Sequence, residues 1–424
     1  MNELLLEPVQ RRIIPTVRTS HYVLRPYQDE TADRCVAGLM APRPENGIAV
    51  LPTGSGKSLV IASVVSRLDG PAIVFQPSKE ILEQNLQKLR SYGFSPAVFS
   101  ASAGSRRIGD ITLATIGSVF RNHRKFAHVR YVIVDEAHLV NSKKDDSMFM
   151  QFLAGLPDVR VLGLTATPYR LTTDGYGGSI LKFITRTRPR VFTKVWHVVQ
   201  NGDLFRAGHL ARLEYKVVKT GFDRSRLRLN STGADYTDES VRNHFATLNF
   251  SDQIVRCVSR LHELGRRGTL VFTRFVEEAE YVARRVPGAA IVTAKTTRDE
   301  RERIIREFRA GRIPVVSNVG VFTIGFDYPE LANVILARPT RSLALYYQMV
   351  GRSVRPHPAK EAAYVVDMVG LSSEFGHVED LELREGTHER WAVWSGGRQL
   401  TNVYFGNNQV RSNAAGERSP APKV

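Results

Sequence analysis

Two series of short β-branched runs, separated by longer helical patterns, constrain this chain more than any other feature. The first half offers "GIAVLP", "PAIVFQP", "ITLAT", "YVIVDEAH" and "VLGLTATP"; the second resumes with "GTLVFT", "AAIVTA", "IPVVSNVG", "NVILARP" and "EAAYVVDMV". Runs that are apolar throughout, without alternation, suit strands covered on both faces, as in a parallel sheet wrapped by helices. Patterns such as "VEEAEYVARRV", "RDERERIIREFRAG" and "LALYYQMVGRSV" supply the helices. The expected fold class is α/β, with two tandem doubly wound parallel-sheet domains. A chain of 424 residues, 42% apolar, can bury two cores.

The expected boundaries are an N-terminal extension over 1–20, a first domain over 21–190, a basic, loop-rich linker over 191–215, a second domain over 216–370 and a small appendage over 371–424. That appendage reads as β-rich before a polar tail, "VRSNAAGERSPAPKV", expected to be disordered. "MNELLLEPVQRR" is too short for a signal peptide, and no run approaches the roughly 20 residues that span a bilayer, so a soluble cytoplasmic protein with no membrane partner is expected. Two cysteines, Cys35 and Cys257, cannot form a four-ligand zinc site. A net charge of +17 favours a polyanionic partner, nucleic acid above all.

"PTGSGKS" stands between a strand and the helical pattern "SLVIASVVSRL", the context a phosphate-binding loop requires. Thr53, Gly54, Ser55 and Gly56 form the loop, whose glycines let backbone N–H groups face phosphate oxygens at a helix N-terminus. Lys57 is expected to reach the β- and γ-phosphates of ATP, and Ser58 to help hold Mg2+. In "VIVDEAH" an apolar strand delivers Asp135 to the same metal and Glu136 to the attacking water, because hydrolysis needs both a metal and a base.

"PTGSGKS", "DEAH", "TATP" (165–168) and "QMVGRSVRP" (348–356) occur in the order found in superfamily 2 DEAH-box helicases, and residues 21–370 resemble that family. "LRPYQ", "TATPYRL" and "GFDYPELANVILARPTRSLALYYQMVGRSVRP" look most like the RadD-type bacterial and phage helicases, a pattern that restriction-type translocases largely share. The resemblance implies RecA-like domains, ATP and Mg2+ as cofactors, and work in a bacterial or phage-infected cell. It implies that Arg25 and Gln28 bind adenine, that His138, Thr165 and Thr167 couple hydrolysis to movement, and that Gln348 senses the phosphate. Arg352 and Arg355, three apart on an expected helix, become arginine fingers, and Gly325 and Asp327 link nucleotide to nucleic acid. Strand contacts fall by resemblance to Pro77, Ser78, Thr115, Ser118, Thr273, Arg274 and Asn318. The cysteine-rich C-terminal segment of RadD relatives has no counterpart here, so no zinc is expected.

The reading is an ATP-dependent helicase or translocase on forked, gapped or branched DNA. An ATP-gated clamp or annealing module, the motor of a restriction or nuclease assembly, and an RNA helicase are its alternatives. A single-strand-binding or nuclease partner is compatible with each.

Overall fold

The computed structural model describes residues 23–43, 45–140, 147–173, 179–321, 328–387, 390–402, 404–406 and 409–410. The expected N-terminal extension and most of the polar tail lie outside the described residues. Lobe 1 contains β1 (Gly47–Val50), β2 (Ala72–Phe75), β3 (Ala97–Ser100), β4 (Ser105–Arg106), β5 (Ile111–Ala114), β6 (Tyr131–Asp135), β7 (Arg160–Thr165), β8 (Tyr169–Thr173), β9 (Ser179–Phe183) and β10 (Lys194–Val198). Its helices are α1 (Pro26–Leu39), α2 (Lys57–Val65), α3 (Lys79–Ser91), α4 (Ile116–Val119) and α5 (Met148–Ala154). The main sheet has the order β10-β1-β7-β6-β2-β5-β3-β4 and is parallel except at β4.

That order explains the placement of the motifs. β1, β7 and β6 are neighbours, with Val50 opposite Thr165 and Asp135 opposite Leu164. Their carboxyl ends therefore bring the glycine loop, "TATP" and "DEAH" to one edge, the edge at which open α/β sheets bind ligands. Behind it, Phe75 meets Phe149 and Phe152 edge-on at 5.3 and 5.1 Å, and Phe126 meets Phe99 at 5.1 Å. Such pairs add about 0.5–1.5 kcal/mol each beyond burial.

The chain passes to lobe 2 through α6 (Asn201–Arg206). Lobe 2 holds β11 (Leu213–Val217), α7 (Asp238–Thr247), α8 (Phe250–Glu263), β12 (Thr269–Thr273), α9 (Val276–Arg285), β13 (Ala290–Val292), α10 (Arg298–Arg309), β14 (Val315–Asn318), β15 (Asn333–Ala337), α11 (Leu343–Val350), β16 (Ala363–Asp367) and α12 (Leu371–Phe375). Its six-stranded sheet, β11-β16-β15-β12-β14-β13, is wholly parallel. Cys35 lies in the lobe 1 core, where burial pushes its thiol up to about 12, and Cys257 lies on α8 of lobe 2. Among the described residues no helix is long and apolar enough to cross a membrane.

The span expected as a linker is structured differently. "KVWHV" is β10, an edge strand of the lobe 1 sheet, and "LEYKV" is β11, the edge of the lobe 2 sheet, which leaves α6 and a few residues as the true connection. Edge strands are only half covered, so they lack the apolar runs that reveal central strands. The appendage consists of an antiparallel sheet, β17 (Leu381–Gly386), β18 (Arg390–Ser395) and β19 (Arg398–Gln399), followed by β20 (Tyr404–Gly406) and β21 (Gln409–Val410). β20 returns to lobe 1 and pairs with β9 in the small sheet β21-β20-β9-β8.

Trp196 on β10 leaves no room for a side chain at Gly47, where an added Cβ would lie 2.2 Å from the indole. Gly47→Ala should therefore lower stability by about 1–3 kcal/mol, as overpacking does, and lower the urea midpoint without changing the slope.

Candidate active site

The glycine loop is braced from below by the start of α1. Tyr27 Oη and Gln28 Nε2 both donate to the Ser55 carbonyl at 2.8 Å, while Gln28 Oε1 accepts from Arg25 N–H at 2.9 Å. Gly54 and Gly56 take left-handed φ values of 84 and 83°, and a Cβ on Gly56 would lie 2.5 Å from the Gln28 amide. Only glycine fits there. In this arrangement the Gln28 amide is buried and engaged by backbone at both ends, Nε2 with the Ser55 carbonyl of the loop and Oε1 with the Arg25 N–H that caps α1, and not by an adenine edge. Arg25 does line the cleft, beside His209 from the connection between the lobes.

The cleft has a volume of about 320 Å³ and draws walls from both lobes, with Lys57, Ser58, Asp135 and Glu136 facing Gln348, Arg352 and Arg355. Lys57 Nζ lies 3.0 Å from Glu136 Oε1. Burial works against the charged form of Glu136, but Lys57 and His138 outweigh it and hold the carboxyl well below its ordinary range. Burial and the neighbouring Glu136 charge push Asp135 the other way, upward. Glu136 also holds φ 54, ψ 53, a left-handed conformation costly for a side-chain-bearing residue and common at functional sites.

Asn85 is a residue that sequence reasoning missed. Its Oδ1 accepts from Ser58 Oγ at 2.7 Å, and its Nδ2 donates to Asp135 Oδ2 at 3.2 Å and to Gln76 Oε1 at 2.7 Å. It thus joins the two side chains expected to hold a metal. A signal existed: Ile81, Asn85 and Leu89 fall at i, i+4 and i+8 on α3, so an amide occupies the buried stripe. Ser55 Oγ and Gln76 Nε2 are buried without hydrogen-bond partners in the protein. Glycines, ammonium, hydroxyl and carboxylate together suit a nucleoside triphosphate with its magnesium ion.

His138 connects this site to both lobes. Its Nδ1 lies 2.9 Å from Thr165 Oγ1, 3.1 Å from Thr167 Oγ1 and 3.4 Å from Glu136 Oε2, and its Nε2 lies 3.1 Å from Gln348 Nε2. The expected helix under the two arginines ends sooner, at Val350, and Arg352 and Arg355 occupy the following turn. Both nevertheless line the cleft, and burial pushes each guanidinium down to about 10. Gly351 closes α11, and a Cβ there would lie 2.9 Å from the Tyr347 carbonyl and 3.1 Å from Thr53 Cβ on lobe 1.

The expected strand contacts divide by lobe. Ser78 and Thr115 are the N-caps of α3 and α4, and Pro77 and Ser118 adjoin them, all partly exposed. Thr115 Oγ1 lies 3.0 Å from Ser118 Oγ, which accepts from Ala101 N–H at 2.9 Å. Thr273 and Asn318 are fully buried, with Asn318 Nδ2 donating to the Val271 carbonyl at 3.0 Å. Arg274 is committed to Asp235 and Asp238 and to the carbonyls of Tyr236 and Pro339. These lobe 2 side chains serve as internal braces, although Arg274 also lines the neighbouring cavity. Gly325 and Asp327 lie outside the described residues. A cavity of about 700 Å³ beside these braces is ringed by Arg242, Thr293, Lys295 and Thr296, with Glu277 and Glu280.

Residues 21–170 match the family described as type III restriction enzyme, res subunit, and residues 252–357 match the helicase conserved C-terminal domain. A 51.5 kDa protein of a Lactococcus phage (isolate 7-9) is 28% identical over 325 residues, 75% of this chain and 64% of that protein. The DNA 3′-5′ helicase XPB of Kineococcus radiotolerans is 27% identical over 350 residues, 79% of this chain and 58% of that one. The type ISP restriction-modification enzyme LlaBIII bound to DNA superposes with a TM-score of 0.59 at 16% identity, covering 82% of this chain and 28% of that one. The chain spans less than two thirds of the length of these curated relatives. The architecture is two tandem RecA-like domains.

Asn85→Ala should leave Ser58 and Asp135 without their shared partner. The magnesium concentration that half-saturates ATP binding, followed by titration calorimetry, should rise about tenfold, as losing a partner that orients metal-holding groups does.

Proposed function

We propose that this chain, a member of the superfamily 2 helicases, is a nucleic-acid-dependent ATPase that moves along DNA and separates or remodels its strands. The observation that carries this reading is the His138 ring, which touches the expected base, the Thr-Ala-Thr segment of lobe 1 and Gln348 of lobe 2 at once. A residue so placed makes protonation chemistry at Glu136 and the lobe spacing depend on each other, which a motor needs and a simple phosphatase does not.

The roles follow from the charges. Ser58 and Asp135 would hold a magnesium ion, whose charge neutralises phosphate oxygens. Lys57 would turn from Glu136 to the β- and γ-phosphates, and the carboxylate, relieved of its ion pair, would regain enough basicity to accept a proton from water. Arg352 and Arg355 would approach the γ-phosphate from lobe 2, and Arg25 with His209 would meet the base at the cleft's rim.

A strand would be gripped through its phosphates by the helix starts at Ser78 and Thr115 and, on lobe 2, by Arg242, Lys295, Thr293 and Thr296. DNA is favoured over RNA, and a 3′-5′ direction is taken from the name of the Kineococcus relative. The RadD-type affinity, carried by "LRPYQ" and "TATPYRL", is the finer assignment, together with its DEAH-box character. The family matched by residues 21–170 favours a second reading, the motor of a nuclease assembly, which co-purification of an endonuclease or methyltransferase subunit would support.

ATP turnover with single-stranded, duplex and forked DNA and with RNA, measured side by side, tests the proposal; equal rates with and without nucleic acid would refute it. Lys57→Ala should abolish turnover, and Glu136→Gln should keep ATP binding while stopping hydrolysis. Arg355→Ala should lower kcat by about 10³-fold or more, the scale of arginine fingers, with little change in nucleotide affinity. A variant within twofold of wild type would remove Arg355 from that role.

A further inference from the structure

The phosphate loop is tied to the C-terminal sheet by a buried hydrogen-bond relay that crosses both lobes. Thr53 N–H donates to Tyr347 Oη at 3.3 Å, and that hydroxyl donates to Asn201 Oδ1 at 2.6 Å. Asn201 Nδ2 in turn donates to the Leu381 carbonyl of β17 at 3.3 Å. Tyr347 and Asn201 are both buried, 3% and 4% exposed, so a broken link between them costs more than a solvent-exposed one.

The far end of the relay is anchored. Gln200, next to Asn201 at the start of α6, behaves like an extra strand residue: its Nε2 donates to the Leu383 carbonyl at 2.7 Å and its Oε1 accepts from Leu383 N–H at 3.0 Å. The neighbouring Tyr346 donates to the Gly376 carbonyl at 2.8 Å, so of two consecutive tyrosines on α11 one is held directly by residues beyond 370 and the other through Asn201. Gln348, the next residue, reaches His138. A shift of β17 is therefore transmitted to α6, to α11 and to the backbone of the loop that faces the phosphates.

We propose that the C-terminal three-stranded sheet is a positioning element of the nucleotide site, holding the phosphate loop through Asn201 and Tyr347. The inference rests on the nucleotide reading of the cleft and assigns a role to the appendage, which contributes no residue to the cleft itself.

The test uses the full chain and the fluorescent nucleotide mant-ADP with magnesium, so it does not depend on turnover. Tyr347→Phe removes one hydroxyl, and Gln200→Ala removes both side-chain bonds to Leu383 and so loosens β17 against α6, leaving only the Asn201–Leu381 bond of the relay, without touching the loop or α11. Each should weaken mant-ADP binding about three- to tenfold, the equivalent of one hydrogen bond, and the double variant should bind no more weakly than the worse single one. Thermal melting without nucleotide should barely move in Gln200→Ala. Wild-type affinity in Gln200→Ala, or losses that multiply in the double variant, would overturn the proposal; if Tyr347→Phe fails to fold, Gln200→Ala alone decides. Absence of ATP turnover in the wild type, with the affinity pattern intact, would sink the proposed function and leave this inference standing.

Discussion

Two adjacent carboxylates, Asp135 and Glu136, leave β6 into a half-open cleft, and the Lys57 ammonium 3.0 Å from Glu136 is what makes that arrangement tolerable. Like charges side by side in a poorly solvated site cannot both remain ionised without a cation. The rest of the site is arranged around this balance. The left-handed Gly56 starts α2 so that Lys57 is its first residue, and the left-handed Glu136 bends the chain so that its carboxylate meets Lys57 while Asp135 meets Asn85. Any anion that competes for Lys57 alters the basicity of Glu136 and, through His138, the contact with Gln348. On the proposed reading, ligand binding, proton affinity and lobe spacing would be linked.

Central strands were legible because full burial on both faces leaves an apolar run, and each of the ten runs quoted from the sequence became a strand of a parallel sheet. The glycine loop and the carboxylate pair were legible because phosphate and metal chemistry demands particular residues in sequence order. Tertiary facts were not. Nothing local marks β10 as an added edge strand, or says that α11 stops at Val350 with Gly351 set close against Thr53. Arg274 and Asn318 have the polarity of strand-binding residues, yet acidic partners from 235–238 claim the first and the Val271 carbonyl claims the second. Gln28 is a donor and acceptor as expected, but the α1 N-cap uses its oxygen and the phosphate-loop carbonyl of Ser55 uses its amide N–H. Polarity shows that a side chain needs partners; only the fold shows which partners it finds.

The two lobes are joined by more than their connection. Arg298 on α10 pairs with Glu83 on α3 at 3.0 Å and Tyr347 reaches Thr53, while the connection itself is tied to lobe 2 by Ala211 N–H donating to the Val354 carbonyl at 2.7 Å. These contacts differ in durability. The ion pair is half exposed and weakens with salt, whereas the backbone and tyrosine bonds are shielded. Opening of the cleft would therefore begin at the α3–α10 side and pivot near α6 and α11.

The pairing of β20 with β9 also has a consequence for biosynthesis. Asn402 Oδ1 accepts from Phe183 N–H across 219 residues, so the β9 edge of the β8–β9 hairpin acquires its partner only once residues near 402 have emerged. At ribosomal rates of about 5–20 residues per second, that hairpin waits on the order of ten to forty seconds with an unpaired edge. An exposed edge is a template for wrong pairing, and a nascent chain stalled or truncated before residue 402 would carry a lobe 1 prone to association with its neighbours.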